Sequence, residues 1–300
     1  MELPSIGWFL SSGAITVMSI VIILISSFRS TFYAQWKYHV PINIKRAAAV
    51  PVVSSLVLLT QWLSTPSSSK SKSPIVQFLA VGLPVLGGCL ALANLLKPLL
   101  CLLLTKNTKY RLNLTGDGNR RLSTVLDLHF DLCDVLAVLL GMSVGLLHIV
   151  YRNWVTNDLL VGSYCIFLVE FFPITDFTAG FVFLSGMVAF DLFWMYGINL
   201  LAPVVKDSAA PILLQFPKDL SGKLQRLGTP DVFIPAMFLA FLWRRSLSRP
   251  SYRVCYIYCL CAFVLGLSAT YCIAFTTQKV TPALVLPSIF IMAVVALFFW

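Results

Sequence analysis

Nine apolar stretches divide this chain, roughly at 5–28, 47–64, 75–96, 132–150, 155–174, 178–202, 227–243, 252–275 and 281–300. A helix of about 20 residues crosses a hydrocarbon core. Only structures that satisfy their own backbone hydrogen bonds persist there, so each stretch reads as a helix. With 58% hydrophobic residues, 11% charged residues and a mean hydropathy of +0.86, a soluble globular domain is excluded. The expected fold class is an all-α membrane protein, a polytopic bundle of about nine transmembrane helices. The stretches at 47–64 and 227–243 are short, and 75–96 can run on through Lys97-Pro98 to Leu104. The first stretch is longer than the usual 7–15 residue core of a cleaved signal, and only Glu2 precedes it as a charge, so it reads as a retained span. No internal repeat of 20–50 residues is visible, and neither half inverts the other.

Of the 22 Lys and Arg residues, 14 fall in loops after odd-numbered stretches and 8 after even-numbered ones. The positive-inside rule then places the N-terminus outside or in the lumen and the C-terminus in the cytosol. The net charge of +10 reads as topology and contact with anionic lipid, not nucleic-acid binding, because it is scattered among short loops. Eight cysteines lie within or beside apolar stretches without paired CxxC spacing, which suits small buried hydrophobes. Asn113-Leu114-Thr115 is a glycosylation sequon that this topology leaves in the cytosol. Three linkers are expected: a flexible 64–74, a basic surface loop at 105–127, and 203–226, which keeps an apolar PILLQF between charged ends.

Against this background one residue stands out. Asp191 lies in the run Gly180–Ala202 with no Lys or Arg to neutralise it, and a charged Asp at a helix centre costs about 2.5–3.5 kcal/mol on lenient scales. It is either a structural acid, protonated or hydrogen-bonded, or a functional one. Asp231 sits near the start of the next stretch. There Thr229-Pro230-Asp231 also makes an ordinary helix start, with Thr as N-cap, Pro at the first helical position and an acid in the first turn. If both helices are regular, Asp191 lies about 16 Å below the end of its helix and Asp231 only about 6 Å into its own. The two meet only if the second helix starts below the membrane surface or the first is strongly tilted.

Two acids that share a site cannot both ionise at close range, so one stays protonated while the other is anionic. Such a pair can activate water against an amide carbonyl and protonate its oxygen. No HExxH or GxSxG occurs, and the three histidines, at 39, 129 and 148, are scattered. No metal site or cofactor is expected.

The segment Leu184–Gly197, LSGMVAFDLFWMYG, resembles the Tyr-Asp segment of signal peptide peptidases, the presenilin-type intramembrane aspartyl proteases. Leu227–Phe238, LGTPDVFIPAMF, resembles their Gly-x-Gly-Asp segment, and Pro282-Ala283-Leu284 matches their Pro-Ala-Leu motif at the start of the last span. Lys206–Asp219 is similar to the loop before the second Asp, and Asn153–Leu160 to the opening of the fifth span. The likeness runs from about Asp131 to Leu284 and weakly back to Arg46–Trp62. It implies that Asp191 and Asp231 are the catalytic pair, with Phe190, Gly228, Thr229, Pro230, Pro282, Ala283 and Leu284 shaping the site. Phe190 stands where the family has Tyr, Pro230 where it has Gly, and Thr281 where it has Gln.

The resemblance therefore implies an intramembrane aspartyl endopeptidase of the endoplasmic reticulum membrane. Its partners would be the lipid bilayer and transmembrane peptide substrates such as remnant signal peptides and type II membrane segments. Residues 1–130 would form the N-terminal helices and 131–300 the catalytic region, with assembly into a homo-oligomer left open. Two alternatives remain at this point: a non-catalytic membrane chaperone or scaffold of the same fold, and an ion-coupled transporter using the two acids as ligands.

Overall fold

The computed structural model describes residues 6–33, 40–64, 81–104, 109–116, 123–197, 211–218, 224–277 and 281–299. The linker expected at 65–74 and the segments 117–122 and 198–210 lie outside the described residues. Nine α-helices occur among those described: α1 Ile6–Tyr33, α2 Ile44–Ser64, α3 Leu83–Leu103, α4 Leu132–Tyr151, α5 Trp154–Phe171, α6 Phe177–Leu192, α7 Thr229–Ser246, α8 Pro250–Thr277 and α9 Val285–Phe299. They match the nine apolar stretches in order, and α3 does run on through Lys97 and Pro98. Six spans are long and apolar enough to cross a membrane unaided: α1, α3, α4, α5, α8, and α6 with the turn that extends it to Gly197. The chain is a multi-pass, all-α membrane protein.

Of the three helices outside that set, α7 explains itself by position. Val232 and every residue from Ile234 to Leu242 are buried. Helices α1, α5, α6, α8 and α9 all pack around it, so protein rather than lipid is its solvent. By contrast α4, at the rim, turns Leu139, Leu146, Ile149 and Val150 outward. Between lipid-embedded helices there is no hydrophobic driving force, and small residues permit the close approach on which dispersion depends. On α1 the buried Ser11, Ser12, Ser19, Ser26 and Ser27 fill this role. Ser19 and Ser26 satisfy their hydroxyls on the carbonyls of Ile15 and Ile23 at 2.8 and 3.0 Å. Gly266 of α8 serves the same end, because a Cβ there would lie 2.6 Å from the Pro287 backbone of α9.

Two linkers are more ordered than the sequence suggests. The basic 105–127 segment contributes β1 Lys109–Gly116, which pairs antiparallel with β2 Ser123–Asp131. The 203–226 segment contributes β3 Leu213–Pro217 and β4 Leu224–Gly228, with Leu213 opposite Gly228 and Pro217 opposite Leu224. Leu213, Leu214 and Leu227 of this second hairpin are buried, which is why the sequence keeps apolar residues in a linker. At the other end of the bundle Ile42 pairs with Ile174, tying the approach to α2 onto the α5–α6 connection.

Candidate active site

The helix carrying Asp191 does not continue regularly to Ala202. Regular α-helix stops at Leu192, and Phe193–Gly197 winds as a π-helical turn. Asp191 thus sits one residue from the end of the regular helix, and Gly197 lies only about 9 Å further along. Single π turns inside membrane helices often mark functional sites. The turn is held from outside by Trp194, whose Nε1 donates to Ser55 Oγ of α2 at 3.0 Å.

The start of α7 is tied to the β3–β4 hairpin, with Thr229 buried, Asp231 half-buried and Pro230 exposed. Thr229 N–H and its hydroxyl both donate to the Ile212 carbonyl, at 3.1 and 2.5 Å. On the far side, Asn157 Nδ2 of α5 donates to the Leu213 carbonyl at 2.6 Å, and Asp158 Oδ1 accepts the Gln215 N–H at 2.8 Å. The hairpin is therefore clamped between α5 and α7. The N-cap is Gly228 and not Thr229, which moves one place into the helix because its hydroxyl is engaged by the hairpin. Pro230 follows in the first turn, where the absent N–H is no loss.

Asp231 Oδ2 accepts the Gly228 N–H at 3.2 Å. A Cβ at position 228 would come within 2.8 Å of that oxygen, so glycine leaves the carboxyl its room. Asp191 is 7% exposed, and its Oδ2 is buried without a hydrogen-bond partner among the described residues. Asp191 and Asp231 stand on α6 and α7, which pack against each other. The ion pairs found among the described residues, Arg29–Glu170 and Lys97–Asp134, involve neither. Two acids without an ion-pair partner among the described residues thus sit on adjacent helices of the bundle.

The other residues expected near the site are placed as follows. Pro282 and Leu284 are buried and Ala283 is partly so, in the turn that leads into α9. Leu284 belongs to the apolar cluster that holds Val232 next to Asp231. Phe190 is turned the other way: its ring is 6.5 Å from Trp194 and lines an apolar groove of about 590 Å³ between α2 and α6, with Pro51, Ser55, Ser185 and Ala189. Three features escape a reading of the sequence: the Asn157–Asp158 clamp, the Ser55–Trp194 link, and Tyr271 of α8. The Tyr271 hydroxyl is buried without a hydrogen-bond partner among the described residues. For the clamp alone a signal existed, two adjacent polar residues in the first turn of a membrane helix.

With that geometry in place, comparison with known proteins is informative. The profile of the signal peptide peptidase family matches residues 33–299. The signal peptide peptidase of Homo sapiens is 28% identical over 292 residues, covering 93% of this chain and 77% of that protein. Intramembrane protease 2 of Caenorhabditis elegans is 35% identical over 122 residues, 38% of this chain and 26% of that protein. Signal peptide peptidase-like 2C of Mus musculus is 26% identical over 234 residues, 69% of this chain and 32% of that protein. A buried acidic site within a multi-pass bundle and a family match over most of the sequence lead to one assignment: this chain belongs to the signal peptide peptidase family of intramembrane proteases.

Proposed function

We propose that the chain is an aspartyl endopeptidase, with Asp191 and Asp231 as its catalytic pair, and that it hydrolyses transmembrane segments such as remnant signal peptides in the endoplasmic reticulum membrane. The observation that carries this reading is a pair of acids on two helices that pack together: Asp191 of α6, buried with an unpartnered oxygen, and Asp231 of α7, half-buried and held by the Gly228 N–H, neither of them in an ion pair among the described residues. Like charges at short range in a poorly polarisable site favour one proton shared between two acids. The anionic partner takes a proton from water as oxygen attacks the scissile carbonyl, and the neutral partner donates its proton to the carbonyl oxygen. The tetrahedral intermediate then collapses as the amide nitrogen is protonated and leaves.

The apolar groove between α2 and α6 is the natural approach for a substrate helix, since it opens beside Phe190, the neighbour of Asp191. The substrate must unwind before it is cut, because a helical amide is already hydrogen-bonded; irregular backbone is tolerated at membrane depth only where protein or water satisfies it. In the bilayer the N-terminus is lumenal and the C-terminus cytosolic. This places Arg29, Arg46, Arg244 and Arg245 at the cytosolic end, in accord with the charge bias of the loops.

Cleavage of a model signal peptide by the purified chain in proteoliposomes tests the proposal. The expected result is a cut within the apolar segment, competed by an aspartyl-protease transition-state analogue, with a bell-shaped pH profile whose two limbs belong to the pair. A chain that neither cuts the peptide nor binds the analogue is not this enzyme. A second reading rests on Phe190 and Pro230: a relative that holds membrane helices without cutting them. It is favoured if Phe190→Tyr with Pro230→Gly creates cleavage that the wild type lacks.

A further inference from the structure

Helices α7 and α8 are joined by a short turn at Leu247–Arg249 and run antiparallel, with Trp243 and Tyr256 facing each other at a ring separation of 5.2 Å. Counting outward from that pair, Asp231 lies 12 residues before Trp243 and Ser268 lies 12 after Tyr256, so these two stand at similar depth. Tyr271 is one turn beyond Ser268, roughly 4.5 Å along the axis. Side chains on a helix lean toward its N-terminus, which carries the Tyr271 ring back toward the level of Asp231. Tyr271 belongs to the same apolar core as Val232, the residue next to Asp231.

Tyr271 is only 7% exposed, and its hydroxyl has no hydrogen-bond partner among the described residues. Phenylalanine would fill the same space without leaving a buried hydroxyl unsatisfied, and buried tyrosines ordinarily find a partner. The acid at similar depth on the adjoining helix is Asp231. Asp231 Oδ2 is already engaged by the Gly228 N–H, so Oδ1 is the oxygen that a donor on α8 would serve. Phe190, the aromatic neighbour of Asp191, has no hydroxyl to offer and faces the groove instead.

We propose that Tyr271 is a positioning residue of this site, whose hydroxyl donates to Asp231 Oδ1 as the substrate amide and the attacking water are seated, and so fixes the orientation of that carboxyl. The inference rests on the reading of Asp191 and Asp231 as the catalytic pair. No bond is made or broken at Tyr271; its hydrogen bond acts through Asp231.

The test compares wild type, Tyr271→Phe and Asp231→Ala in proteoliposomes with a model signal peptide, together with thermal unfolding of each. Tyr271→Phe should lower kcat roughly tenfold to a hundredfold, the effect of one hydrogen bond to a charged group, while KM stays within about twofold. Its unfolding midpoint should be unchanged or higher, because an unsatisfied hydroxyl has been removed. A Tyr271→Phe enzyme with wild-type kcat overturns the inference while leaving the pair intact, provided Asp231→Ala is inactive. A fall in kcat that comes with a lower unfolding midpoint also overturns it, in favour of packing. Cleavage by Asp231→Ala, or a wild type that neither cuts nor binds a transition-state analogue, defeats the reading of the pair and this inference with it.

Discussion

Glu170 and Asp191 are equally buried, each 7% exposed, yet their surroundings are opposite. Glu170 lies at the far end of α5 from Asp158, about 18 Å away along the helix. Arg29 Nε of α1 donates to its Oε1 at 2.5 Å, and Asn94 Nδ2 of α3 donates to its Oε2 at 3.4 Å. A buried charge is tolerated when paired and hydrogen-bonded in this way, and the result is a three-helix tie. Asp191 has a bare oxygen and takes part in neither ion pair found among the described residues. One acid is neutralised by structure and the other is kept in an unfavourable setting. If Asp191 is catalytic as proposed, that contrast separates a structural carboxylate from a functional one more sharply than burial alone, because burial is the same.

The contrast makes graded predictions. Asp191→Asn should lower cleavage by on the order of 10⁴-fold while leaving the unfolding midpoint unchanged or raised, since an ionisable group has been taken out of an apolar site. A peptide-cleavage assay and a thermal melt on one preparation check both halves. For Arg29→Ala the order reverses: stability should fall by about 3–5 kcal/mol, the cost of stranding one partner of a buried pair, while cleavage per folded molecule persists. Pairing Arg29→Met with Glu170→Leu should recover most of that loss in chemical unfolding. If Asp191→Asn instead destabilises the protein as much as Arg29→Ala does, the two acids play the same role and the contrast fails.

Smaller effects refine the picture around the site. Asp158→Ala leaves the Gln215 N–H without its acceptor, which should cost about 1–3 kcal/mol and loosen the hairpin above Asp231. Proteolysis between β3 and α7 should accelerate in parallel. Trp194→Phe removes the hydrogen bond to Ser55 together with part of a buried ring; the hydrogen bond accounts for about 0.5–1.5 kcal/mol of the loss, read as a shift in unfolding midpoint.

Helix count and order were legible because apolar length is the dominant signal in a bilayer. Asp191 was legible for the complementary reason, as a charge where charge is costly. The interruption of its helix was not, since Phe193–Gly197 is as apolar as what precedes it and the π turn depends on Trp194 reaching Ser55 on α2. The β3–β4 hairpin left a partial trace in the apolar PILLQF. Its anchoring could not be read, because the partners Ile212 and Thr229, or Asn157 and Leu213, are far apart in sequence. Tyr271 gave no sign at all: one aromatic on a long apolar helix looks like any other until α7 is laid beside it.

The central claim is that Asp191 and Asp231 act as a unit, and comparing cleavage rates of Asp191→Ala, Asp231→Ala and the double variant on one model signal peptide tests it most directly. Each single variant should fall to background and the double variant should be no slower, because neither acid works without the other. An Asp231→Ala enzyme that keeps substantial activity while Asp191→Ala has none would contradict the account, and would leave Asp231 as nothing more than the acid of a helix start.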